Sequence, residues 1–330
     1  MSPTNSPPTM KDVAREAGVA LGTVSKVING MPVGAEYKAR VEAAVAKLNY
    51  QVNSYAKGLK MSRTLTVALI IPNIYNTFFS NLAQYVNREL SQRGYTMLLC
   101  ITDNSPENEQ NFADVMRRNR VDGIIALTYS KTLQFSSSIP VVGIDRRFGR
   151  GIPCVCSDNY AGGQMAARKL IELGSRRPLF LSTMTDVATE VAKRKDGFSA
   201  ECRIAGVRAD VCEKLGTGGF EVLEEYIAAH LHGGCFDYDG IFCVSDWLAY
   251  QTYCYLTQQG VAVPQDVQII GFDGIRKFGY LDRFCSTIVQ PADKIARTCV
   301  NLVLSDDYAD APELLCLPVE YAPGGTTRDS

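Results

Sequence analysis

From Thr64 to Asp273 short apolar runs alternate with amphipathic stretches, the rhythm of strands wrapped by helices. TVALIIP opens the series and is followed by a helix expected from about Phe78; YTMLLCI precedes a helix from about Pro106, and GIIALT and PVVGID come next. After Asp158 the rhythm starts again, with a helix from about Tyr160, the strand PLFLS, a helix near Ala188, a strand at Val211 and a helix from about Phe220. GIFCVS, a helix from about Asp246, and VQIIGFD complete it. Short β-rich runs joined by helices imply parallel sheets with right-handed crossovers. The similarity of the two halves predicts two doubly wound lobes. In such folds ligands bind beyond the carboxyl ends of the strands. The residues closing these runs are polar or charged: Asn73, Asp145, Arg146, Ser245, Asp246 and Asp273. STIVQP, near Gln290, reads as a return crossing between the lobes.

The amino-terminal pattern is of another kind. MKDVAREAGVALGTVSKVIN, from Met10 to Asn29, places Ala14, Gly18, Val24 and Val27 at the spacing of a helix-turn-helix. Two helices crossing steeply need a small residue where their backbones touch and a turn residue free to take positive φ. Ala14 and Gly18 fill those two places. Val24, Val27 and Ile28 then face inward, which leaves Leu21, Gly22, Thr23, Ser25 and Lys26 pointing out, toward the place of a major groove. Thr9 and Asp12 form a capping box that opens the first helix, and a third is expected from about Ala35 to Leu48, with Val41, Val45 and Leu48 on one face. So small a unit has little core and only marginal stability alone.

The expected division is a disordered arm (1–8), a helix-turn-helix head (9–50), a linker (51–63) and a core (64–330). Lobe one takes 64–158 with 291–306, and lobe two takes 159–288 with 307–322. Within the linker, Asn53 to Leu59 can coil into a turn or two with Ala56 and Leu59 on one side, too short to be stable without a partner.

Composition narrows the function. At 330 residues, 46% of them apolar, the chain has material for two or three units with a buried core. It holds no uncharged apolar run of about 18 residues, so no membrane span is expected. MSPTNSPPT lacks the apolar stretch of a signal peptide, and a cytoplasmic protein is the expectation. Residues 1–60 carry eight basic against four acidic side chains, a charge of +4, while the remainder carries 26 against 31, a charge of −5. A basic head on a mildly acidic body suits a phosphate-binding module joined to a separate domain. The 11 cysteines are scattered and mostly set in apolar runs, with no CxxC, which reads as reduced buried thiols. His230 and His232 have no ligand cluster around them, so no metal is expected. GTGGF lacks the third glycine of a dinucleotide loop, and neither a P-loop nor a G-x-S-x-G occurs, so no cofactor and no catalysis are expected.

Taken together, TMKDVAREAGV, TVSKVING, the linker NSYAKGL, LIIPNIYNTFFSNL, VVGIDRR, SDNYAGG, IFCVSD, VPQDV with IIGFD, and TIVQP resemble the lactose/galactose repressor (LacI/GalR) family of bacterial transcription factors across essentially the whole chain. The resemblance implies a three-helix head with a hinge helix on a periplasmic-binding-protein-like core of two doubly wound lobes. It implies a dimer on a palindromic double-stranded operator, controlled by a small effector, with a sugar favoured and a nucleoside or purine as the alternative. Residue by residue, it implies major-groove reading by Leu21, Gly22 and Lys26, phosphate contacts by Thr23, Ser25 and Asn29, and a minor-groove wedge at Leu59. Lys26 stands where an arginine is usual, which removes the planar fork that grips guanine. Ala20 stands where a capping serine is usual, and Val52 where a proline is. In the cleft the resemblance implies Arg194 on hydroxyls or a carboxylate, Asp145 and Asp273 accepting from hydroxyls, and Phe78 and Phe79 under a sugar ring. Ser245, Gln290 and Trp247 are further contact candidates, and Asp246 reads as a helix cap. A solute-binding protein or an enzyme on the same two lobes is the competing use. The one would need an export signal and the other a catalytic motif.

Overall fold

The computed structural model describes residues 8–50, 63–129, 135, 139–184, 186–215, 220–276 and 283–328. The chain divides into two compact units, 1–64 and 65–330.

In the first unit three helices, α1 (Met10–Ala17), α2 (Leu21–Ile28) and α3 (Ala35–Lys47), enclose Val13, Ala14, Ala17, Val24, Val41, Ala44 and Tyr50. The capping box forms as expected: Asp12 Oδ2 accepts from the Thr9 amide at 2.9 Å while Thr9 Oγ1 accepts from the Asp12 amide at 3.4 Å. Gly18 ends α1 at φ 60°, ψ 41°, a conformation that costs a glycine least. Its neighbour Ala20 starts α2 with no side-chain cap. What clamps the turn is Arg40 on α3, whose Nε donates to the Ala17 carbonyl at 3.0 Å and Nη2 to the Gly18 carbonyl at 2.9 Å. One guanidinium thus satisfies carbonyls that the end of a helix leaves unpaired.

The second unit holds two six-stranded sheets. The first contains β1 (Thr66–Ile71), β2 (Thr96–Ile101), β3 (Gly123–Ala126), β4 (Val141–Ile144), β5 (Cys154–Ser157) and, late in the chain, β13 (Leu314–Leu317). Its order is β13-β5-β4-β3-β1-β2, and every pair is parallel. The second contains β6 (Pro178–Met184), β7 (Asp210–Leu215), β10 (Gly240–Cys243), β11 (Gln268–Asp273), β12 (Ser286–Val289) and β14 (Glu320–Ala322). Its order is β14-β12-β11-β10-β6-β7, parallel except for β14. A two-stranded hairpin, β8 (Leu231–His232) with β9 (Cys235–Phe236), lies outside both. β3, β4, β5, β10 and β11 are buried along their whole length, as runs covered by helices on both faces must be. Among the described residues no helix is long and apolar enough to cross a membrane.

Two expectations need correction. Residues 307–322 do not all belong to lobe two as expected: β13 pairs with β5 in register Cys316 to Cys156, and only β14 joins the second sheet. β13 occupies the edge beside β5, where a strand is covered incompletely and its side chains are only partly buried, so LLCL carries no distinctive burial pattern. The helix expected near Ala188 begins later. Thr189 is extended, a 3-10 turn covers Glu190–Ala192, and the helix itself runs Lys193–Ile204. Helix Ala292–Val303 packs Ile295, Ala296, Cys299, Val300 and Val303 into the core of the first lobe. The chain therefore passes between lobes after β5, after β12 and between β13 and β14.

Candidate effector cleft and DNA-reading helix

The carboxyl ends of both sheets border a cavity of about 580 Å³, within the range of small-molecule sites. Seven of the eight cleft residues anticipated from the sequence line it: Phe78, Phe79, Asp145, Arg194, Ser245, Asp273 and Gln290. Phe78 and Phe79 sit in the first turn of helix Thr77–Ser91, edge to face at 5.8 Å between ring centroids, and also belong to the apolar core of lobe one. Asn76 caps that helix by accepting from the Phe78 amide at 2.9 Å.

Arg194 is the centre of the polar part. It is 4% exposed, in the first turn of helix Lys193–Ile204, and its guanidinium carbon lies 3.6 Å from the centroid of the Phe272 ring. Nε donates to Asn159 Oδ1 at 2.7 Å and Nη1 to the Val244 carbonyl at 2.6 Å. Asn159 passes the connection on, its amide donating to Asp145 Oδ1 at 3.4 Å. Gln290 does the equivalent for the other acid: its amide donates to Asp273 Oδ1 at 2.7 Å, and its Oε1 accepts from Ser157 Oγ at 2.8 Å. Two interlobe crossings are thereby stitched to the two acids.

Both acids stand in strained backbone, Asp145 at φ 56° just past β4 and Asp273 at φ 136° closing β11. Non-glycine residues rarely occupy this region, and where they do a site is commonly involved. Burial raises the Asp145 carboxyl above its usual range against the pull of Arg194. Burial, reinforced by Asp246 and opposed by Arg194, lifts Asp273 to about 8. Desolvation likewise lowers Arg194, while Asp273 and Asp145 counter it. Asp145 and Asp273 thus share the Arg194 guanidinium, and part of the negative charge is relieved by keeping a proton.

Trp247 is the exception. It is 53% exposed, does not line the cavity, and its ring lies 6.4 Å from that of Tyr250 on the outer face of helix Asp246–Gln258. Ser245, not Asp246, supplies the helix cap while still lining the cavity. Ser245, extended at φ −149°, is the cap and accepts from the Leu248 amide at 3.2 Å. Asp246 falls one place inside the helix, buried, with Oδ2 accepting from the Ile275 amide at 2.7 Å. Burial raises its carboxyl to about 6. Sequence reasoning missed Asn159, Tyr129 and Ser182; the latter two line the cavity. Each terminates or follows a buried run, the one signal that pointed to them.

On the head, Leu21, Gly22, Lys26 and Asn29 are exposed and Thr23 and Ser25 half-buried, all on or just beyond α2. Asn29 turns back on its own helix, its amide donating to the Ser25 carbonyl at 2.8 Å. The helix carries no acidic residue in its first turn, so its positive end is uncompensated by side chains of α2. Leu59 lies outside the described residues. Among the described residues no group of three or more His, Cys, Asp or Glu is placed to hold a metal ion.

Comparison with known proteins gives two family matches. Residues 64–303 match the periplasmic binding proteins and sugar binding domain of LacI family, and residues 9–53 match the bacterial regulatory proteins, lacI family. The chain is 31% identical over 319 residues to the sucrose operon repressor of Streptococcus mutans, covering 96% of this chain and 98% of that one. It is 32% identical over 326 residues to the ribose operon repressor of Bacillus subtilis, covering 97% and 98%. A periplasmic binding protein/LacI transcriptional regulator from Alkaliphilus metalliredigens, solved in complex with D-xylulofuranose, superposes with a TM-score of 0.69 at 31% identity, over 80% of this chain and 99% of that one. The lac repressor dimer bound to operator shares the fold, with a TM-score of 0.81 at 20% identity, over 98% and 99%. With both parts matched in order and relatives aligned end to end, the chain belongs to the LacI family of bacterial regulatory proteins.

Proposed function

We propose that the chain represses transcription as a homodimer on a palindromic operator and that a sugar in the cleft controls its grip. The observation that carries the effector half is the guanidinium of Arg194, held over Phe272 by Asn159 and Val244 and bordered by Asp145 and Asp273. A fixed fork of donors beside carboxylate acceptors and an aromatic wall matches the vicinal hydroxyls and apolar faces of a sugar ring. Phe78 and Phe79 supply that wall, with Ser245 and Gln290 as further polar contacts. The relatives named above regulate sucrose and ribose operons, which supports the same class.

For DNA we assign base reading to Leu21, Gly22 and Lys26, phosphate positioning to Thr23, Ser25 and Asn29, and the minor-groove wedge to Leu59. A single head buries too little surface for tight binding, so two act together on a two-fold site. Effector binding shifts the lobe angle, which sets the spacing of the paired linkers. We read the cleft as non-catalytic, because its two buried carboxylates, Asp145 and Asp273, are tied to the amides of Asn159 and Gln290 rather than to a nucleophile.

The test is selection of bound duplexes from a random pool, followed by anisotropy on the enriched site. A palindrome should emerge, its affinity should fall steeply with salt, and Lys26→Ala and Leu59→Ala should each weaken it. Failure to enrich any palindrome overturns the reading.

A further inference from the structure

We propose that Cys156 and Cys316 form an oxidation site, at which a hydroperoxide converts the two thiols into an intramolecular disulfide that staples the chain crossings between the lobes.

The sulfurs are already in contact. Cys156 Sγ and Cys316 Sγ lie 3.4 Å apart, and the two residues are register partners on the parallel strands β5 and β13. Neighbouring strands lie about 4.8 Å apart, within the span of about 4.4–6.8 Å that the Cα atoms of a disulfide take up. Closing the sulfurs to about 2 Å therefore needs side-chain rotation and a small adjustment of β13. That strand can give, since it is the last in its sheet and its side chains are only partly buried.

Access differs between the two thiols, and this sets the order of events. Most of the 11 cysteines are buried or half-buried, but Cys235 and Cys316 are exposed. Cys235 lies on the hairpin strand β9, whereas Cys316 has a second thiol beside it. Cys156 is 1% exposed and burial raises its thiol above the ordinary range, so Cys316 is the sulfur that an oxidant from solvent reaches first. The hydroperoxide passes one oxygen to the Cys316 sulfur as its O–O bond breaks, giving a sulfenic acid and an alcohol, or water where the oxidant is hydrogen peroxide. The Cys156 sulfur then attacks the sulfenic sulfur; the S–S bond forms, the S–O bond breaks, and the hydroxide leaves with the thiol proton as water. Both sulfurs end oxidised, and the peroxide oxygens are reduced.

The place of the bond gives it a consequence. Cys156 and Cys316 each stand one residue before the end of a strand that leads into a crossing between the lobes. Just beyond the pair the two crossings run side by side, the Asp158 amide donating to the Leu317 carbonyl at 2.7 Å. Ser157 Oγ, donating to Gln290 Oε1 at 2.8 Å, ties in the third. A covalent link here joins segments 160 positions apart in sequence that a hinge motion must bend. Oxidation thus stiffens the hinge through which an effector acts under the function proposed above, while formation of the bond does not depend on that function.

The test treats the native full-length protein with hydrogen peroxide. It needs neither sugar nor operator, so its failure leaves the proposed function standing. Peptide mapping without reductant should recover a linked pair holding Cys156 and Cys316, which dithiothreitol separates. Cys316→Ser, at an exposed position, should yield no such pair. Hydrogen exchange is the second readout: oxidation should slow the amides of segments 157–160 and 319–321 by about tenfold in the parent and leave them unchanged in Cys316→Ser. Recovery of both thiols intact, or of Cys316 as a sulfinic or sulfonic acid with Cys156 still alkylatable after denaturation, overturns the site. A disulfide that forms without slowing the crossings, or equal slowing in Cys316→Ser, overturns the staple.

Discussion

Replacing Gly163, which does not itself line the cleft, with alanine should damage the cleft from behind. Helices Asn159–Glu172 and Lys193–Ile204 cross at Gly163 and Gly197. A methyl at 163 would overlap the Arg194 carbonyl oxygen and lie 2.8 Å from the Phe198 nitrogen. Carbon contacts settle at about 3.5 Å or beyond, so the helices must part by about 1 Å. Interiors pack like crystals and resist such a shift, which costs about 1–3 kcal/mol. For a unit of this size that corresponds to a melting temperature lower by roughly 3–10 °C. The same displacement strikes function, because the bond from Arg194 Nε to Asn159 Oδ1, 2.7 Å long, spans these two helices. Lengthened by about 1 Å it ceases to be a hydrogen bond, and the guanidinium loses its register to Asp145. Sugar affinity should fall by about 10–100-fold, by the sensitivity of positioned groups to a 1 Å error. Gly197→Ala attacks the junction from the other side, its methyl 2.9 Å from the Tyr160 carbonyl carbon and 3.1 Å from the Gln164 nitrogen. Once either methyl has parted the helices the second costs less, so the double variant should be milder than the two effects combined. Scanning fluorimetry and calorimetry on the four proteins measure both quantities. Unchanged melting and affinity in Gly163→Ala, or full additivity in the pair, would refute the close-packed junction as the support of Arg194.

Arg40→Met should loosen the head alone, because it withdraws both donors from the Ala17 and Gly18 carbonyls; hydrogen exchange of the amides around residues 14–24 should quicken by about tenfold, and unchanged exchange would sink the idea that this side chain holds the turn. Asp273 makes the larger unit sensitive to pH. Its folded carboxyl, raised to about 8, keeps a proton that the unfolded chain releases near 4, so the folded state binds more protons between those values and stability declines as pH rises across that window. Melting temperature from pH 5 to 8.5 should therefore fall in the parent and fall less in Asp273→Asn, and parallel slopes would contradict the shift.

Much of the molecule was readable because the physics that fixes it is local or periodic. Fully buried strands such as GIIA and QIIGFD announce themselves as apolar runs, and the Thr9/Asp12 box and Gly18 need only neighbours within one turn. Features that depend on a distant partner were not readable. Arg40 looks like any surface charge of an amphipathic helix until α3 is folded against the turn 22 positions earlier. Asn159 follows Asp158, which takes the capping role by accepting from the Ala161 amide, so nothing nearby marks the asparagine as the link between Arg194 and Asp145. Ser245 and Asp246 are both capable caps, and only the extended backbone at Ser245 decides between them. A lone tryptophan beside a strand end invites a stacking role, but Trp247, in the first turn of its helix, is exposed and away from the cavity.

The repeat in the apolar rhythm has a structural consequence that accounts for the pair of acids. The sheet orders β13-β5-β4-β3-β1-β2 and β14-β12-β11-β10-β6-β7 superimpose position by position, so β4 and β11 are both third from the edge that is completed last. Asp145 follows one and Asp273 closes the other, and both adopt positive φ. Holding each of two non-glycine residues there costs on the order of 1–3 kcal/mol, which packing alone has no reason to retain twice. Each acid is met by an amide, Asn159 on one side and Gln290 on the other, carried by a residue next to a crossing of the chain. Lobe closure must move both amides with the crossings, so a ligand that engages Asp145 and Asp273 together grips the hinge as well as the sheets. Asn159→Asp and Gln290→Glu, which remove the donating amide that each acid accepts from, should therefore weaken the sugar's effect on operator affinity more than they weaken sugar binding itself, and equal losses in the two measurements would break the proposed connection.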